Sequence, residues 1–180
     1  MSFDNPPFFP STLEELANDV AFAAKVAIVS QILRIRVDVR LRITSRGHRF
    51  MLKWVLLMAV NLLDDEYQTV RVYLDNTEDV RRCRDIWAEL VSNVTATVGP
   101  TGSDGTPLDY DRFRNKIQIS LLCDLGTIDK GTVCLIFNPD NTRTCELPNL
   151  LEDVQALCFH AAWKKLPVIL VNPVLLATAW

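Results

Sequence analysis

Three short polar clusters each follow directly on a run of β-type residues: Asp75-Asn76, Asn138-Pro139-Asp140 and Asn172-Pro173. In an open parallel sheet the carboxyl ends of the strands share one edge, and small ligands bind there. Asp75, Asn76, Asn138, Asp140 and Asn172 therefore make a candidate ligand crevice. Their carboxylates and carboxamides suit hydrogen bonding to a polar small molecule or nucleotide. None of them stands out as a general acid or base. Asn and Asp beside proline are also ordinary turn formers, which alone explains these residue types.

Other catalytic chemistries find little support. His48 and His160 are the two histidines, and no serine lies in a G-x-S-x-G elbow. Cys158 and His160 are two residues apart on a predicted helix, so thiol and imidazole face different ways. Two histidines with no Cys or acid cluster at ligand spacing argue against a metal site. The glycine-rich segment Gly99 to Thr106 lacks the G-K-[ST] ending of a phosphate loop, and no convincing strand feeds it. No cofactor is implied, and a non-catalytic protein is the leading reading.

The most ordered pattern is Leu33 to Ile43, L-R-I-R-V-D-V-R-L-R-I. Strict alternation predicts a β-strand with one dry and one wet face. Arg34, Arg36, Arg40 and Arg42 share the wet face with Asp38, a basic stripe about 27 Å long at about 3.3 Å per residue. Seven Lys or Arg residues lie between Arg34 and Lys53 against the single acid Asp38. The whole chain carries a formal charge of −3 and a pI of 5.4, so the rest is distinctly acidic. That asymmetry suits an oriented encounter with an acidic protein surface. The acidic net charge and pI argue against a general nucleic-acid binder, and the arginine face lacks an aromatic stacking platform for RNA.

Length and composition bound the architecture. The 180 residues suit one domain with a proper core. Five cysteines without C-x-x-C spacing point to free thiols, with Cys123 and Cys134 placed in apolar runs as small hydrophobes. Residues 1–10 hold three prolines and are expected to form an extended arm, with residues 11–180 as a single α/β domain. Ser11 and Glu14 have capping-box spacing for a first helix to about Gln31. Phe50 to Leu63 is nearly all apolar, yet at about 14 residues too short for a bilayer span of about 20, so a buried helix is expected. Strands are expected at Thr69–Leu74, Ile117–Cys123, Thr132–Phe137 and Pro167–Val171. Helices are expected from Thr77 to about Val91, with Val80, Cys83, Ile86, Trp87 and Leu90 as its apolar stripe, and from near Pro148 or Asn149 toward Lys165. This alternation predicts a Rossmann-like α/β fold, a mainly parallel sheet flanked by helices with the arginine strand at its edge.

A proline-led start (Phe9-Pro10-Ser11-Thr12-Leu13-Glu14-Glu15-Leu16), the arginine strand, Val70-Arg71-Val72-Tyr73-Leu74-Asp75, Trp87 in the next helix and a closing Val171-Asn172-Pro173 occur in that order. In this order the chain resembles a domain of unknown function found in cyanobacteria and chloroplasts. That family's plant members include a protein needed for photosystem II accumulation and the tail of a chloroplast adenylate kinase-like protein. The resemblance implies a Rossmann-like fold and a role in photosystem assembly or association, peripheral to the thylakoid membrane in the stroma or cyanobacterial cytoplasm. It transfers no catalytic residues. Family members continue past the final Asn-Pro, whereas this chain stops at Trp180 in L-L-A-T-A-W, so a truncated chain, a shortened relative or a tail that docks onto a partner is expected.

Overall fold

The computed structural model describes residues 12–39, 47–92, 110–139 and 149–172. The predicted arm, Arg40, Arg42, Asp140, Cys145, the glycine-rich segment and the chain end after Asn172 lie outside these residues.

Five parallel strands form one sheet in the order β1-β5-β4-β2-β3. They are β1 (Arg34–Val37), β2 (Thr69–Leu74), β3 (Ile117–Leu121), β4 (Thr132–Phe137) and β5 (Val168–Val171). The helices are α1 (Leu13–Val29), α2 (Gly47–Leu62), α3 (Thr77–Ser92) and α4 (Leu150–Trp163). This is the Rossmann-like α/β architecture expected from the sequence, with the arginine strand at an edge. Among the described residues of that segment, Arg34–Val37 are paired as a strand.

Alternation divides the core. Side chains of Val70, Val72, Leu74, Ile117, Val133, Leu135, Ile169 and Val171 point to the face covered by α1, α2 and α3. Tyr73, Cys134, Ile136, Val168 and Leu170 point to the other face, where α4 packs with Leu150, Val154, Leu157 and Ala161. β4 and β5 are buried at every residue, as expected of strands covered on both sides. In α2, Trp54 through Val60 are all buried, so the apolar run is a core helix wedged between α1 and the sheet.

The start of α1 differs by one residue from expectation. Thr12, not Ser11, is the cap: its hydroxyl accepts from Glu15 N at 3.0 Å, and Glu15 accepts from Thr12 N at 3.2 Å. Cys123 is exposed rather than buried, because β3 ends at Leu121 and the chain has already turned.

β3 connects to β4 by a crossover without a helix, residues 122–131, and Arg71 holds it. Its guanidinium donates to Leu125 O at 2.7 Å and Thr127 O at 3.1 Å, and to Gln118 Oε1 at 2.6 and 2.9 Å. Leu122 and Ile128 close the core beneath.

Candidate functional site

The sheet register places the strand-end residues in a row. Tyr73 pairs with Ile136 and Ile136 with Leu170. Two residues further on, Asp75, Asn138 and Asn172 stand side by side on β2, β4 and β5, with strands about 4.8 Å apart. The point where the chain order reverses lies between β2 and β4, where such folds place ligands.

The side chains in this row serve different local tasks. Asn138 and Asn172 adopt left-handed backbone (φ 50° and 47°), which Asn accommodates better than most residues. Each extends the ladder by one bond, Asn138 N to Val171 O and Asn172 N to Val37 O, both at 2.8 Å. Asn172 Oδ1 accepts from Val39 N at 2.6 Å and so pins the end of β1. Asn76 caps α3, its Oδ1 accepting from Asp79 N at 2.8 Å. Its amide nitrogen donates to Asp75 at 2.8 Å and Asp79 at 2.9 Å.

The structure adds a pair that sequence spacing did not expose. His48, in the first turn of α2, sits 2.7 Å from Asp79 Oδ1 in the first turn of α3. Both helices begin at the carboxyl edge of the sheet, so an imidazole–carboxylate pair stands beside Asp75 and Asn76. Burial alone would raise the Asp79 carboxyl, but hydrogen bonds from His48 and Asn76 and the charges of His48 and Arg82 hold it below its ordinary value of 3.8. The two residues are 31 positions apart, and no spacing in the sequence pointed to their meeting. A cleft of about 390 Å³ lies nearby, at the junction of α3 and β3, lined by Thr77, Val80, Arg84, Leu121 and Asp124 among others. It is on the β3 side of the sheet and not at the β2–β4 switch point.

The arginine stripe divides in two. Arg34 is half-buried, its guanidinium bonded to Leu33 O at 2.8 Å, Leu166 O at 3.0 Å and Cys158 O at 2.7 Å. Arg36 is exposed and paired with Asp38 at 3.0 Å. Arg34 is thus a strut between β1 and α4, and Arg36 is the described arginine of the stripe that faces solvent.

Beside β1 lies an apolar groove of about 360 Å³, lined by Val20, Ala23, Ala24, Ile35 and Val37 together with Asp19 and Arg36. The outer face of α1 continues it with exposed Phe22, Val26 and Val29, followed by Ile32. A helix that is apolar on its solvent side is unusual in a surface position.

Among the described residues no group of three or more His, Cys, Asp or Glu could hold a metal ion. No helix among them is long and apolar enough to cross a membrane. Compared with protein-family models, curated proteins and solved structures, the chain matches none.

Proposed function

We propose that this chain is a non-catalytic binding protein that docks a partner protein through the sheet edge formed by β1 and α1. The observation that carries this reading is the edge itself: β1, which among the described residues has a strand neighbour on one side alone, lies beside a helix that exposes Phe22, Val26 and Val29. Contiguous exposed apolar surface of this kind marks an interaction site. Burying one such side chain contributes about 1.5–3 kcal/mol. Arg36 adds charge next to the apolar patch, which orients encounter more than it adds affinity.

The partner's setting is proposed from the resemblance alone: a photosystem subunit or assembly intermediate with an acidic surface. The chain would then act peripherally at the thylakoid membrane, on its stromal or cyanobacterial cytoplasmic side. The test is affinity purification of the tagged chain from mild-detergent extracts of a photosynthetic cell, at low and high salt. Photosystem subunits should co-purify at low salt and be lost in a Phe22→Glu, Val26→Glu variant. A solitary chain, or subunits retained by that variant, would sink the reading.

A second reading, a small-molecule or nucleotide enzyme at the carboxyl edge, is favoured by one observation, the His48–Asp79 pair beside Asp75. It expects a ligand that raises the melting temperature as RT ln(1 + [L]/Kd). His48→Ala and Asn138→Ala should abolish that rise.

A further inference from the structure

We propose that the open edge of β1 binds an extended polypeptide segment in which apolar residues alternate with acidic ones, adding it to the sheet as a further strand. This rests on the docking reading above and specifies the chemistry of the partner.

The backbone shows which groups are available. Val168 N donates to Leu33 O and Asn172 N to Val37 O, so odd-numbered residues of β1 turn their backbone groups toward β5. By strand alternation, the N–H and C=O of Arg34 and Arg36 point to the open side. Neither pair has a partner among the described residues.

The opposite edge of the sheet is partly engaged. In β3 the bonds Val70 N to Lys116 O and Leu122 N to Leu74 O turn even-numbered residues inward. The backbone groups of Ile119 therefore face the edge, and its carbonyl is already taken by Arg84 Nη2 from α3 at 2.8 Å. Among the described residues α3 bonds the β3 edge, and nothing bonds the outward backbone groups of β1. Unguarded edges are templates for strand addition.

The two faces of an incoming strand would meet different surfaces. On the α1 side lie Ile35 and Val37 and the groove wall of Val20, Ala23 and Ala24. On the other side lies the exposed guanidinium of Arg36, held among the described residues by its pair with Asp38. An exposed pair of that kind is worth little and exchanges readily for a partner's carboxylate. Residues on one face of the segment therefore meet the apolar wall, and an acidic residue on its other face meets the Arg36 guanidinium. In such additions main-chain bonds supply affinity and alternate side chains supply specificity.

The test uses the full chain and a fluorescein-labelled valine–glutamate alternating peptide of about seven residues, enough to span β1 at about 3.3 Å per residue. Controls are the same composition in block order and a valine–lysine alternating peptide. The acidic alternating peptide should bind about tenfold or more tightly than either control. Binding should weaken with salt, and the Arg34 and Arg36 amides should gain protection from hydrogen exchange. Arg36→Glu, an exposed change that leaves the fold intact by circular dichroism, should reverse the preference toward the lysine peptide. Equal binding of all three peptides, or unprotected amides, overturns the proposal. So does protection of those amides without peptide, in a dimer (a second copy on the edge) or in a monomer (the chain's own terminal segment). Photosystem subunits captured through Phe22 while peptides fail would remove strand addition and leave the docking reading standing. Peptide binding with a solitary chain in extracts would support strand addition and remove the photosynthetic partner.

Discussion

Arg34, on the edge strand, donates to the carbonyl of Cys158 in α4 across 2.7 Å, joining two elements that sequence separates by 124 residues. The same guanidinium holds Leu166 O, in the turn that leads into β5. One side chain thereby ties the edge strand to the helix and to the neighbouring strand's entry.

Because these bonds are charge-assisted and half-buried, Arg34→Ala is expected to destabilise the domain by about 2–3 kcal/mol. Arg34→Lys should recover little, since an ammonium cannot reproduce the planar fork that meets three carbonyls. Arg36→Ala, whose partner is an exposed acid, should cost at most about 0.5 kcal/mol. Urea titrations of the three variants separate strut from surface charge. Equal losses at Arg34 and Arg36 would refute the division of the stripe.

Gly126 sits in the β3–β4 crossover with φ of 53°, and a Cβ placed there would come within 3.1 Å of Arg71 Nη1. Gly126→Ala therefore combines a left-handed backbone penalty of about 1 kcal/mol with a displaced guanidinium. Arg71→Met should release the crossover while leaving the strands paired, seen as faster amide exchange confined to residues 122–131. Uniform loss of protection across β2 and β4 would show instead that Arg71 supports the whole sheet.

Much of the architecture was legible because it is local. Val70, Val72 and Leu74 alternate with Arg71, and residues 132–137 are apolar at nearly every position, so strand type and boundaries follow from period and length. The edge position of β1 followed from its wet face. What covers that face was not legible: periodicity told that Arg34 faces away from the α1 side, but not that α4 would arrive to take its guanidinium. The cap of α1 was misplaced by one residue for a related reason, since Thr12–Glu15 has the same spacing as Ser11–Glu14 and only backbone geometry chooses between them. The row of Asp75, Asn138 and Asn172 was foreseen from parallel strand ends. Their separate tasks, and the meeting of His48 with Asp79, depend on where helices start in space.

Thiol reactivity should follow burial. Cys83 and Cys134 are buried and their thiols are pushed up to about 12, and the half-buried Cys158 is also raised, with desolvation the first cause in each. Cys123 is exposed. Brief alkylation of the native chain near pH 8, mapped by mass spectrometry, should modify Cys123 well before Cys83 and Cys134, which should react only on unfolding. Prompt labelling of Cys134 would contradict the packing of β4 beneath α4.

The His48–Asp79 contact makes a prediction in acid. The folded chain holds the Asp79 carboxyl below its ordinary 3.8, through the His48 and Asn76 hydrogen bonds acting against desolvation. A depressed carboxylate stabilises the fold above its unfolded value and loses that contribution as pH falls through the lower folded value. Stability should therefore decline as pH drops below about 3.8, with the unfolded chain taking up the proton first. Asp79→Asn removes the titrating group, so its stability should be lower than wild type at neutral pH and should converge with wild type in acid. Asn76→Ala should produce part of the same convergence, because it deletes the cap of α3 as well as one of the bonds to the carboxylate. Urea midpoints of the three proteins between about pH 2 and 5 read this directly. Parallel curves for wild type and Asp79→Asn would mean that the contact does not stabilise the junction of α2 and α3. The pair would then be free to be read as a site for ligand chemistry at the carboxyl edge instead of a tie between two helix starts.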